Sequence, residues 1–130
     1  MAWAIGTLDI TLTSESDFSS KQYYFCKIGS ADNSCALPTA LTDVPLGIVQ
    51  NTPTSGQAAT VRVLGVSKVS TDTALSAGNL IGTSADGQAD AKTVGSDTTH
   101  YVAGQMLDSP GAAADLGTAL INCCNPHRAA

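Results

Sequence analysis

Charge is scarce in this chain. Only 13% of its 130 residues are Asp, Glu, Lys or Arg, about half the level usual in soluble domains. Lys and Arg number six against eleven acidic residues, and no stretch collects them. Phosphate-backbone recognition depends on clustered cations, so neither a direct nucleic-acid role nor adhesion to an anionic membrane surface is expected. Long apolar runs are also missing, and none approaches the ~20 residues of a membrane-spanning helix. The opening MAWAIGTLDITL lacks a basic leading segment and places Asp9 among its apolar residues. It does not read as a signal peptide, and synthesis in the cytosol is expected.

The groups that carry chemistry are equally sparse. Glu15 is the single glutamate, and the Asp residues stand one at a time in turn-like contexts, where they act as turn formers and solubilising charges. No calcium loop, Walker glycine loop or dinucleotide fingerprint is present. Gly65-Val66-Ser67-Lys68-Val69 lacks the second glycine of a nucleophile elbow, so Ser67 reads as a strand residue. His100 opens an expected strand and reads as an edge residue more readily than as a general base, and His127 lies in the NPHRAA tail. A small hydrolase would have to build on Ser67 or His100, and the reading expects no enzyme, no cofactor and no metal. Cys26, Cys35, Cys123 and Cys124 match neither zinc-ligand spacing nor a redox C-x-x-C. They are expected to behave as small buried hydrophobes, with a Cys26–Cys35 bridge as the leading exception.

What the chain has instead is Ala, Gly, Ser and Thr, arranged with a period of two. The length fits one domain. Leu8, Ile10 and Leu12 alternate with Thr and Asp, the pattern of a half-buried strand, and residues 1–22 are expected to form an N-terminal strand or arm and a loop. Residues 23–124 would form the β-rich domain and 125–130 a short tail. Within that domain, strands are expected at Tyr23–Ile28, Leu46–Asn51, Ala59–Val69, His100–Leu107 and Gly117–Cys124, and Leu75–Ile81 is expected to pair a glycine turn at Ala77-Gly78-Asn79 with a short apolar strand. ATVRVLGVSKV, with valines on both faces, is the best candidate for a central strand. Val44–Val63 and Tyr101–Ile121 share a loose order of strand, Pro/Gly turn and return strand, which supports a meander or barrel over βαβ units. Helical periodicity is limited to possible single turns near residues 71–76 and 112–116. The expected class is all-β: a small single-domain β-barrel or β-clip-like meander with few or no helices.

From about Cys35 onward, the succession LGIVQNTP, VRVLGVSKV, ALSAGNLI, ADG, VAGQML and LINCCNPH closely resembles the family of tailed-phage capsid decoration proteins, also called capsid cement proteins. The resemblance covers about three-quarters of the chain, and its order and spacing carry it, since each motif alone is only turn chemistry. Asn79 stands where the family often has Asp, and Leu116-Gly117 interrupts an often more regular strand entry. The resemblance implies a structural virion protein, made in the host bacterial cytoplasm. It would bind the outer surface of a phage capsid, commonly as a homotrimer, and brace major capsid protein subunits, without catalytic residues. On that reading Trp3, Leu8, Ile10 and Leu12 are the expected capsid contacts, on an arm that orders by adding a strand to an exposed edge. A carbohydrate- or receptor-binding virion module, comparable to a head fibre, is the alternative; its aromatic candidates are Tyr23, Tyr24 and Phe25.

Overall fold

The computed structural model describes residues 2–130, and the regular structure among them is all strand: β1 (Ile5–Ser14), β2 (Phe25–Ile28), β3 (Ser34–Ala36), β4 (Gly47–Val49), β5 (Ala58–Ser70), β6 (Leu80–Thr83), β7 (Ala89–Ala91), β8 (Tyr101–Val102), β9 (Gly104–Met106), β10 (Leu116–Asn122) and β11 (His127–Arg128). The possible helical turns at 71–76 and 112–116 are instead non-helical loops.

The valine-rich segment becomes the 13-residue β5, the axis of the molecule. Its residues alternate between buried and half-exposed, with Ala59, Val61, Val63, Gly65, Ser67 and Val69 pointing inward. One edge of β5 pairs antiparallel with β1. The other pairs first with β4 and then, further along, with β10. Nine strands follow the order β1-β3-β2-β4-β5-β10-β9-β6-β7, and the additional β1–β5 pairing closes the first five into a ring. Closure removes the free edges that an open sheet would expose. β8 and β11 form a separate two-stranded pair. The two segments with a shared strand-turn-strand order become the β4–β5 and β9–β10 hairpins, each antiparallel.

The core runs through the ring and under β6, β9 and β10. Phe18, Phe25, Ile48, Val49, Val61, Ile81, Met106 and Ile121 are fully or almost fully buried. Each such side chain contributes roughly 1.5–3 kcal/mol relative to exposure. Cys26, Cys35 and Cys123 share this interior as free thiols, whereas Cys124, expected to be buried with them, is exposed; burial pushes the Cys123 thiol up to about 12. The Cys26–Cys35 bridge is therefore absent from this structure.

Three expectations need correction. Residues 5–14 are a strand, but one already built in: eight residues of β1 pair with β5, and Thr13 and Ser14 pair in parallel with β3. β1 closes the ring, so it is not an arm waiting for a partner's edge. Strand β2 starts at Phe25, because Tyr23 adopts φ +66, outside the extended region. The C-terminal residues are pinned as well: β11 pairs with β8, and Ala129 is buried between hydrogen bonds to His100 and Gly95.

Candidate binding surface

The alternation of β5 leaves a second face, turned outward. Arg62, Leu64, Val66 and Lys68 lie on it, half-exposed. Directly paired residues of an antiparallel sheet point to the same side, so the register determines what surrounds them. Ile5 pairs with Val66, Val66 with Leu120, Leu120 with Gln105 and Gln105 with Leu80. These five residues form a row across β1, β5, β10, β9 and β6. Leu8, Leu64 and Asn122 form a second row beside it. Ile5 is 62% exposed, Leu120 50% and Leu8 43%. Large aliphatic side chains are thus gathered in one place on a molecule whose interior already holds its core.

A distortion in β1 puts Leu8 there. Period-two alternation would place Leu8, Ile10 and Leu12 on one face. The pairing shifts register between Gly6 and Leu8 and again between Leu8 and Asp9, so Leu8 faces Leu64 and Asp9 faces Arg62 on the outer side. Ile10 and Leu12 then face Val61 and Ala59 and pack against the core. Gly65 makes the bulge possible: it sits at φ +130, and a Cβ there would stand 2.6 Å from the Ile5 carbonyl oxygen. Of the four expected contact residues, the structure puts Leu8 on the outer face, leaves Trp3 exposed ahead of β1 and turns Ile10 and Leu12 inward.

Polar groups border the patch. The Trp3 amide donates to Thr118 Oγ1 at 3.0 Å, which ties residue 3 across to β10 and leaves Trp3 46% exposed. Arg62 forms a two-pronged pair with Asp9, with Nε to Oδ1 at 2.9 Å and the second nitrogen to Oδ2 at 3.1 Å, and also donates to the Val66 carbonyl at 3.1 Å. The Asp9 hydrogen bond raises the guanidinium pKa above its ordinary value, against the effect of burial. The pair is a fixed polar rim on an apolar centre, the arrangement found at protein interfaces. At the far end of the row, Leu80, Gln105, Leu120, Asn122 and His127 border a hollow of about 250 Å³.

The residues weighed for catalysis lie elsewhere. Ser67 is fully buried on the inner side of β5; its hydroxyl donates to the Lys68 carbonyl and accepts from Gln50 Nε2. His100 Nδ1 lies 3.3 Å from the buried Lys92 Nζ and 3.6 Å from Asp97 Oδ1. Phe25 is buried in the core, whereas Tyr23 and Tyr24 are half-buried and border a common cleft. Val66, Leu120 and Leu80 were missed as surface candidates: each lies in a segment that reads as strand, but only the cross-strand register aligns them.

No protein-family model matches the chain, and no curated protein matches it in sequence. Among solved structures, the fold is similar to that of the head fiber gp8.5 N base in bacteriophage phi29, with a TM-score of 0.67 and 18% identity over 89% of this chain and 94% of that one.

Proposed function

We propose that this protein is a structural component of a phage virion, seated on the outer surface of the head through the apolar sheet face, where it braces neighbouring major capsid protein subunits. The observation that carries this reading is the row Ile5, Val66, Leu120 and Leu80 with Leu8 and Leu64 beside it, aligned by the strand register into one patch in which Ile5, Leu120 and Leu8 are exposed and the other three half-exposed. A contiguous exposed apolar patch with a polar rim fits a protein partner. The hollow beside Leu80 and Leu120 suits an anchoring side chain from that partner. Likeness of fold to a protein described as a head fibre base adds support, as does the resemblance to decoration proteins. The same surface could join copies of the chain, commonly three in that family, and many weak contacts repeated over a shell brace it by avidity. No enzymatic role, cofactor or metal belongs to this reading.

A second reading, a receptor-binding module based on the head, is favoured by the neighbour's description as the base of a fibre. Quantitative mass spectrometry of density-banded particles induced from the source cell separates the two. A near-stoichiometric ratio to the major capsid protein supports decoration, a few copies per particle supports the fibre-like module, and absence from particles overturns both.

A further inference from the structure

We propose that the cleft beneath Tyr23 and Tyr24 is a binding site for an uncharged saccharide. This goes beyond the head-seating reading and does not rest on it, because the cleft is built from other residues than the apolar rows.

Three observations converge on this cleft. The first is its chemistry. A hollow of about 370 Å³ is bordered by nine residues, none of them charged, in which the two tyrosine rings stand among the side chains of Ser20, Gln22, Thr52 and Ser70. That volume lies in the range of small-molecule sites, ~300–1,000 Å³. Hydroxyl and carboxamide groups both donate and accept, so they match the alternating donors and acceptors of a polyhydroxylated ring. Tyrosine supplies an apolar face for the ring's C–H surface together with a polar tip. A phosphate or carboxylate ligand would require cations lining the hollow; by contrast, the hollows beside Leu120 and beside Val44 are bordered mainly by apolar residues.

The second observation is backbone strain. Among the described residues, three other than glycine have positive φ: Tyr23 at +66, Asn33 at +54 and Ala114 at +66. Asparagine tolerates this conformation, but Tyr and Ala do so only when their surroundings impose it. Both of those residues border this one cleft. Strained backbone concentrates at ligand sites, where a fixed geometry outweighs its conformational cost.

The third observation is rigidity. The Tyr23 amide donates to the Val49 carbonyl at 2.9 Å, and its carbonyl accepts from the Ser70 amide at 3.0 Å. The Ala114 amide donates to the Thr71 carbonyl at 2.7 Å. Ser70, the last residue of β5, and Thr71 directly after it therefore hold both strained positions. The Lys68 ammonium lies 5.7 Å from the centre of the Tyr23 ring, and Gln22 Nε2 donates to the Gln50 carbonyl. The walls are set before any ligand arrives, which lowers the ordering cost of binding. Burial, followed by the charge of Asp86, raises the Tyr24 pKa above its ordinary value.

Saturation-transfer NMR on the purified chain tests the site, using neutral oligosaccharides built from glucose, galactose, mannose, rhamnose and N-acetylhexosamines, with anionic oligosaccharides and short peptides as comparisons. The expected result is transfer to at least one neutral sugar. Gln22→Ala and Tyr24→Phe should each weaken that affinity about tenfold, the scale of one lost hydrogen bond, with unchanged melting temperatures. Ser20→Ala and Thr52→Ala, at exposed positions, give the same readout if Tyr24→Phe destabilises the fold. The proposal is overturned if no neutral sugar shows transfer at millimolar concentration, if only anionic sugars or peptides do, or if none of the folded variants weakens binding. Sugar binding by a chain absent from virions would leave this site standing and remove the head-seating reading instead.

Discussion

Glu15 shows how one carboxylate can organise a loop. It accepts from the Ser30 hydroxyl at 2.8 Å, from the Ala31 amide at 2.9 Å and from the Ser34 hydroxyl, gathering the connection between β2 and β3 around the end of β1. The Ala31 amide first, then the Ser34 and Ser30 hydroxyls, hold its pKa down at about 2, against an ordinary value of 4.5. A group whose folded pKa is depressed stabilises the fold above its unfolded pKa, and that contribution fades as the pH falls through the folded value. Part of the stability should therefore disappear between pH 4.5 and about 2. In Glu15→Gln, urea midpoints measured across that window should fall less steeply with acid, and the midpoint at pH 7 should be lower than in the parent chain. Alternation alone marked Glu15 only as the single glutamate of a Ser-rich loop, because its three donors come from the β2–β3 connection and the first residue of β3, 15 to 19 residues away.

β1 is where local pattern and tertiary structure diverge. Its composition announces a strand, and it is one, but the ring closes only because β1 lies between β5 and β3. Removing residues 1–13 would expose the β5 edge and uncover the core beside Ile10 and Leu12. Such a truncated chain should lose its cooperative thermal transition, followed by circular dichroism; a sharp melt near that of the parent would show that the ring is dispensable. The bulge is subject to a separate test. Gly65→Ala places a methyl group against the Ile5 carbonyl in a backbone conformation that alanine resists, and should cost about 2–3 kcal/mol in denaturant unfolding. Neither the bulge nor its effect on Leu8 was legible beforehand. A glycine in a strand signals that some irregularity is tolerated, but the side on which the extra residue sits depends on the partner strand.

At the scale of the whole molecule, the outward face has no structural duty that would keep it apolar. Replacing Ile5 and Leu120 together by Asp should leave the melting temperature within about 3 °C of the parent, as for substitutions away from the core. The same change puts two charges in the centre of the patch and should weaken binding to purified heads at least about 30-fold, as loss of a central hot spot does. Sedimentation of labelled protein with the heads measures this. Undiminished binding would move the contact to another face.

The all-β class, the central position of the valine-rich strand and the two hairpins follow from composition and period-two alternation, which depend on near neighbours in the chain; the burial of Cys26, Cys35 and Cys123 follows from the apolar character of a free thiol, which did not hold for Cys124. Tertiary structure decided the remainder. Ring closure joins residues 45 to 61 apart in the chain, from Thr13 with Ala58 to Ile5 with Val66. The apolar rows exist only because the register aligns Ile5, Val66, Leu120 and Leu80 from four separate strands. The cleft at Tyr23 depends on backbone hydrogen bonds from β5 and from the loop at Ala114 that hold two residues where their own preferences would not put them. Alternation along a strand reveals which residues share a face, but not which residues of another strand lie opposite, because register is set by bulges and turn geometry across the whole sheet.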